Sequence, residues 1–201
     1  MPFVSDKEKR SMVIDLALLV AIGAVLWLWT CGRWDLWGED ESRYVQVAKE
    51  LLNRDNWLLL TVHGVPYDQK PPLPFWIFSG ILWLSGGAVS SWALRLPGVI
   101  AGMACVLLTY GIGRSRFGRR PGLIAALILM AVPLFAKQTI TARLDMMFAA
   151  WTTAALAVWL CGDIGRRFGW GRAAAFWLLL LAAFFTKGPL CFVIVLGPVA
   201  F

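Results

Sequence analysis

Apolar residues fall into seven runs separated by short polar stretches: 12–30, 71–87, 96–112, 121–136, 146–161, 173–185 and 189–201. Each is read as a helix, because backbone groups inside a bilayer must find their hydrogen bonds within their own segment. A straight crossing takes about 20 apolar residues, so several runs need their flanks to complete a span. The first run is longer than a signal-peptide core, and its end, WLWTCG, lacks a small-x-small cleavage site. It is read as an uncleaved first transmembrane helix. The last run stops at the chain end without a polar cap, the pattern expected of a truncated chain.

Run 71–87 differs from the others. It opens KPPLP, and these prolines oppose a helix entering straight from the loop. Trp76 and Trp83 suit the headgroup boundary. Read as interfacial or re-entrant, this run leaves six crossings. Three basic clusters then share the cytoplasmic side with the N-terminus: Lys7, Lys9 and Arg10; Arg114, Arg116, Arg119 and Arg120; Arg166, Arg167 and Arg172. Seven crossings would put the last two clusters outside, against the positive-inside bias. Six crossings make 31–94 the first periplasmic loop and place the turns 137–145 and 186–188 on the same side. Within that loop, 42–53 carries Tyr44, Ala48, Leu51 and Leu52 at i, i+4, i+7 and i+8. The spacing predicts an amphipathic helix capped by Asp40 or Ser42 and lying apolar face down on the membrane.

Composition fits this picture. Only 15% of residues are charged, 59% are hydrophobic and the mean hydropathy is +0.69, too oily for a water-soluble domain of 201 residues. The net charge of +7 sits in the short clusters between runs, which marks loops and not a nucleic-acid surface. Cys31, Cys105, Cys161 and Cys191 show neither CxxC nor metal-ligand spacing. The fold class is therefore an all-α integral membrane protein, a polytopic helix bundle.

Most charged groups stand at run ends; Asp15, inside the first run, is the exception. A transporter or assembly subunit without chemistry, the rival reading, calls for charged or helix-breaking residues near mid-membrane. An enzyme at the membrane surface calls for the arrangement found. Asp40 is either a first-turn helix acid or a general base beside a reacting hydroxyl. Lys70, held by a Pro-Pro bend, is either a snorkelling lysine or a point charge for a lipid phosphate. Arg43 either does likewise or pairs with Asp40 or Glu39. Arg143, Asp145 and Lys187 either bound their crossings or join Asp40 on its side of the membrane. His63, the single histidine, has no obvious partner, and no Gly-rich phosphate loop or Ser-His-Asp set appears.

The order WGEDESRYVQVAKELL, VPYDQKPPLPFWI, RLPGVIAG, RLDMM, TKGPL resembles the N-terminal half of bacterial membrane glycosyltransferases of the GT-C fold. These are the lipid A 4-amino-4-deoxy-L-arabinose transferases and the related protein O-mannosyltransferases. The resemblance covers essentially the whole chain, 1–201. It implies sugar transfer from a polyprenyl-phosphate donor such as an undecaprenyl-phosphate sugar. The acceptor would be a lipid, glycan or protein on the periplasmic side of a bacterial inner membrane. It implies a catalytic role for Asp40 and substrate-binding roles for Glu41, Arg43, Lys70, Asp145 and Lys187. No cofactor beyond the lipid-linked donor is expected, membrane lipids are the other partners, and a divalent metal has no supporting motif. Gln69 departs from the arabinose transferases, which often carry an acid before this lysine, so sugar identity stays open between a pentose and a hexose.

Overall fold

The computed structural model describes residues 6–36, 38–54, 56–161 and 169–200. The first apolar run lies in one rod, Asp6–Cys31, formed by α1 (Asp6–Gly23), a π-helical turn (Ala24–Leu28) and α2 (Trp29–Cys31). At about 1.5 Å per residue the rod is roughly 39 Å long, enough for a bilayer.

The loop beyond α2 is ordered by α3 (Glu39–Leu52), a two-stranded hairpin and α4 (Leu73–Leu84). Gly38, at φ 99°, starts α3 in a conformation that favours glycine. The helix thus begins three residues before the expected position, and neither Asp40 nor Ser42 caps it. Its apolar face is also not turned to the membrane. Tyr44, Val47, Ala48 and Leu51 are buried in one cluster with Phe75, Phe78 and Leu82 of α4. Ser79 Oγ donates to Ala48 O at 2.8 Å, tying the two helices. The sequence pattern located the face correctly, but a neighbouring helix covers it.

The hairpin pairs β1 (Thr61–Val62) with β2 (Val65–Pro66) antiparallel. His63 (φ 52°) and Gly64 (φ 78°) form its turn, the double left-handed arrangement that matches strand twist. Glu50 of α3 accepts from His63 N at 2.6 Å, Gly64 N at 3.2 Å and Thr61 Oγ1 at 2.6 Å. His63 is therefore a turn residue.

Beyond it, α5 (Ser91–Phe117) is the central long helix, with Ser90 Oγ accepting from Ala93 N at its start. Gly118 (φ 94°) turns the chain into α6 (Arg119–Ala131). A Cβ on Gly113 would stand 2.7 Å from Gly122 Cα, so α5 and α6 cross backbone to backbone. Run 121–136 is not one straight helix: Val132 leaves the helical region before Pro133, and α6 meets α7 (Pro133–Thr139) at 71°. The chain continues as α8 (Leu144–Leu160), α9 (Trp170–Lys187) and α10 (Leu190–Ala200).

Among the described residues the regular structure is thus helical apart from one small hairpin. By length and apolarity Asp6–Cys31 and Ser91–Phe117 can each cross a membrane, and the bent pair α6–α7 makes a third if counted as one span. Leu73–Leu84, with 12 residues, is shorter than a straight crossing. Arg166 and Arg167 of the third basic cluster lie outside the described residues. The other two clusters meet at one end, where Arg114 Nη2 donates to Glu8 O at 3.3 Å. The C-terminal end of α2, the start of α5, the start of α8 and the end of α9 gather at the other.

Candidate functional site

At that second end lies a cavity of about 230 Å³ lined by residues from four parts of the chain. From α3 come Asp40, Arg43 and Tyr44. Tyr67, Gln69 and Lys70 come after the hairpin, Arg143 and Asp145 open α8, and Lys187 closes α9.

The carboxylates and cations interlock. Arg143 Nη2 bonds Asp40 Oδ2, and its Nε is 3.5 Å from Asp145 Oδ2. Lys187 Nζ bonds the other oxygen of Asp145 and lies 5.8 Å from the Phe148 ring centre. Arg43 reaches Asp40 Oδ1 at 4.0 Å and Glu39 Oε2 at 3.7 Å, both loose contacts. Among the described residues Lys70 has no carboxylate within ion-pair distance. Four cations therefore face two carboxylates, leaving the cavity positively charged and suited to an anion.

Two phenols complete the wall. Burial pushes the Tyr44 hydroxyl up to about 12, with the Asp40 charge adding to the effect. Burial likewise raises Tyr67. Both stay protonated at neutral pH and present O–H donors. Edge-on packing of each ring against Phe75, at 5.7 and 5.8 Å between centroids, sets their positions.

Five of the six residues expected at the site, Asp40, Arg43, Lys70, Asp145 and Lys187, line this cavity. Glu41, expected to contact substrate, does not. It is 2% exposed because helical geometry turns it away from Asp40 into a buried pair with Arg95, at 3.1 and 3.0 Å. Arg95 also donates to Cys31 O, Trp34 O and Asp35 O at 2.7–2.9 Å, and Glu41 Oε1 accepts from Ala142 N at 2.6 Å. One ion pair thereby binds the end of α2, the segment after it, α3, α5 and the turn before α8. Close packing supports the same turn: a Cβ on Gly98 of α5 would lie 2.9 Å from both Thr139 O and Thr141 O. Asp40 and Arg143 meet because these two contacts fix their elements in register.

Tyr44, Tyr67 and Arg95 were not legible as site-building residues. Tyr44 reads as part of an apolar stripe. The partners of Arg95 are 54 or more residues away, beyond any local pattern. Among the described residues no cluster of three or more His, Cys, Asp or Glu side chains could hold a metal ion.

The family model for dolichyl-phosphate-mannose-protein mannosyltransferase matches residues 69–199, well over half of the chain. The chain belongs to this family. A curated relative, the undecaprenyl phosphate-alpha-4-amino-4-deoxy-L-arabinose arabinosyl transferase of Edwardsiella ictaluri, is 32% identical over 163 residues, covering 79% of this chain and 29% of the relative. The crystal structure of ArnT from Cupriavidus metallidurans in the apo state superposes with a TM-score of 0.79 at 26% identity, over 92% of this chain and 35% of ArnT. The same protein bound to undecaprenyl phosphate gives 0.78 at 25% identity, with the same shares. This family member thus spans about a third of the length of these relatives. Its apolar helices and these likenesses make it a multi-pass membrane protein of GT-C architecture.

Proposed function

We propose that the intact protein transfers a sugar from a polyprenyl-phosphate carrier to an acceptor hydroxyl, and that the cavity around Asp40 is its reaction site. The observation that carries this reading is the convergence of a carboxylate with four cations in one cavity at the end of a membrane bundle. An undecaprenyl-phosphate-binding relative of similar fold supports the choice of carrier.

The chemistry derives from the placement. As the glycosidic bond to the carrier breaks, negative charge grows on the phosphate oxygen. Lys70 and Arg43 stabilise that charge, with preorganised positive groups contributing the largest share of the rate. Lys70 suits this role because no carboxylate neutralises it. The Tyr44 and Tyr67 hydroxyls donate to phosphate or sugar oxygens. Asp40, oriented by Arg143, accepts the proton of the incoming hydroxyl as the new bond forms. Asp145 holds Lys187 and Arg143 in place. The carrier brings its own phosphate on a lipid, so the reacting groups belong at membrane height, and the cavity faces the periplasm. The donor sugar is a pentose or hexose, and the acceptor a lipid, glycan or protein.

The test is transfer from radiolabelled polyprenyl-phosphate sugars by the intact protein. Asp40→Asn is expected to lower transfer by at least about 100-fold, the lower bound for a lost general base, while undecaprenyl phosphate still binds. Normal turnover by this variant would remove Asp40 from the chemistry.

A further inference from the structure

At the end of the bundle away from Asp40 lies a larger cavity, of about 580 Å³, between α1, the last turns of α5 and the start of α6. Arg114, on its rim, is roughly 28 Å along α5 from Arg95. The cavity shares no residue with the reaction site, so a ligand bound there is independent of the proposed activity.

Its lining changes character along the helix axes. Met12 and Leu16 of α1 and Leu107 of α5 form an apolar wall within the segments long enough to cross a bilayer. Arg114 and Arg119 stand at the mouth, with Glu8, Ser11 and Ser115. Both guanidiniums are held in place. Arg119 Nε and Nη2 each bond the buried Asp15 at 2.8 Å, and Tyr110 Oη donates to the same carboxylate at 2.7 Å. Arg114 Nη1 donates to Tyr110 Oη at 3.1 Å and is 3.9 Å from Asp15. Its Nη2 is 3.9 Å from the exposed Glu8 carboxylate. Arg119 remains half-exposed, with Nη1 outside these bonds. Arg10 and Arg120, also exposed, add to the positive charge of this end.

Gly111 makes the room. It is helical, and a Cβ placed there would meet nothing within 4 Å. The space beside it is therefore unfilled, not merely closed by a small residue.

We propose that this cavity holds one anionic phospholipid, with its phosphate at Arg119 and Arg114 and an acyl chain along Met12, Leu16 and Leu107. An oily wall offers nothing to free phosphate, and fixed guanidiniums offer little to a neutral lipid. An amphiphile with a negative head uses both, and basic clefts between helices are where such lipids settle.

Native mass spectrometry of the intact protein in mild detergent, mixed with dioleoylphosphatidylglycerol or dioleoylphosphatidylcholine, tests this. One phosphatidylglycerol is expected to be retained, favoured about fivefold over phosphatidylcholine, as a single well-placed guanidinium supplies. Gly111→Leu, whose Cβ meets nothing within 4 Å, projects into the cavity and should abolish the preference while leaving the melting temperature near wild type. Ser115→Leu, on the exposed rim, is the second probe should Gly111→Leu fail to fold. Equal retention of the two lipids, retention unchanged in the variants, or displacement of the lipid by inorganic phosphate would each overturn the proposal.

Discussion

Removing the Glu41 carboxylate tests the structural basis of the site. Glu41 and Arg95 have side chains only 3% and 6% exposed, so their pair is shielded from water. In Glu41→Ala, Arg95 keeps the carbonyls of Cys31, Trp34 and Asp35 but loses its counter-charge, and Ala142 N–H loses its acceptor. Breaking a buried pair costs about 3–5 kcal/mol, and an orphaned buried N–H about 1–3 kcal/mol. The remaining carbonyls soften the first cost, so a total of about 4 kcal/mol is expected. Glu41→Gln retains an acceptor for Ala142 and should lose about half as much. Unfolding in mixed micelles of mild detergent and dodecyl sulfate, monitored by tryptophan fluorescence, measures both. Arg95→Met alone, and combined with Glu41→Ala, completes the cycle; the double variant should cost well below the sum of the singles. A Glu41→Ala loss under about 0.5 kcal/mol, within the range of ordinary surface substitutions, or full additivity, would refute the clamp.

The loop and the topology give two further expected outcomes. Burial alone would raise Glu50, but bonds from Thr61, Gln46, Gly64 and His63 outweigh it and hold the carboxyl at about 2, below its ordinary 4.5. A depressed carboxyl contributes stability above its unfolded value, lost as pH falls from 4.5 through about 2. Discounted for partial exposure, that is about 1–2 kcal/mol. The protection factors of the His63 and Gly64 amides, observed rates normalised to intrinsic exchange, should therefore fall across that window in wild type and be low without that pH dependence in Glu50→Gln. For sidedness, Ser85→Cys should react with an impermeant thiol reagent applied from the periplasm and Ser115→Cys should not. The second needs a Cys161→Ser background, because Ser115 Oγ lies 3.5 Å from Cys161 Sγ. Reaction of Ser115→Cys from outside would contradict six crossings with a cytoplasmic N-terminus.

Much of this was legible in the sequence because it rests on local patterns. Apolar runs predict helices, and KPPLP predicts a short helix ahead of which Lys70 stands. The six-crossing reading puts Asp40, Arg43, Asp145 and Lys187 on one side, and one cavity gathers all four. The rest depends on distant partners. Nothing in EDESRY shows that Glu41 turns inward to Arg95 while its neighbour Asp40 turns to Arg143. The stripe Tyr44, Ala48 and Leu51 has the same spacing whether lipid or α4 covers it. VHGV offers neither an Asn-Gly or Asp-Gly pair nor alternating strands, so the hairpin was not legible.

Affinity of the intact protein for undecaprenyl phosphate, compared between wild type and Lys70→Ala, reads whether this cavity meets the carrier phosphate. Removing the one cation of the cavity that, among the described residues, no carboxylate pairs should make the variant about tenfold weaker or more, the scale of a charge-assisted bond. Affinity for the phosphate-free polyprenol should be the same in both. Equal binding of undecaprenyl phosphate by the two proteins would contradict the account.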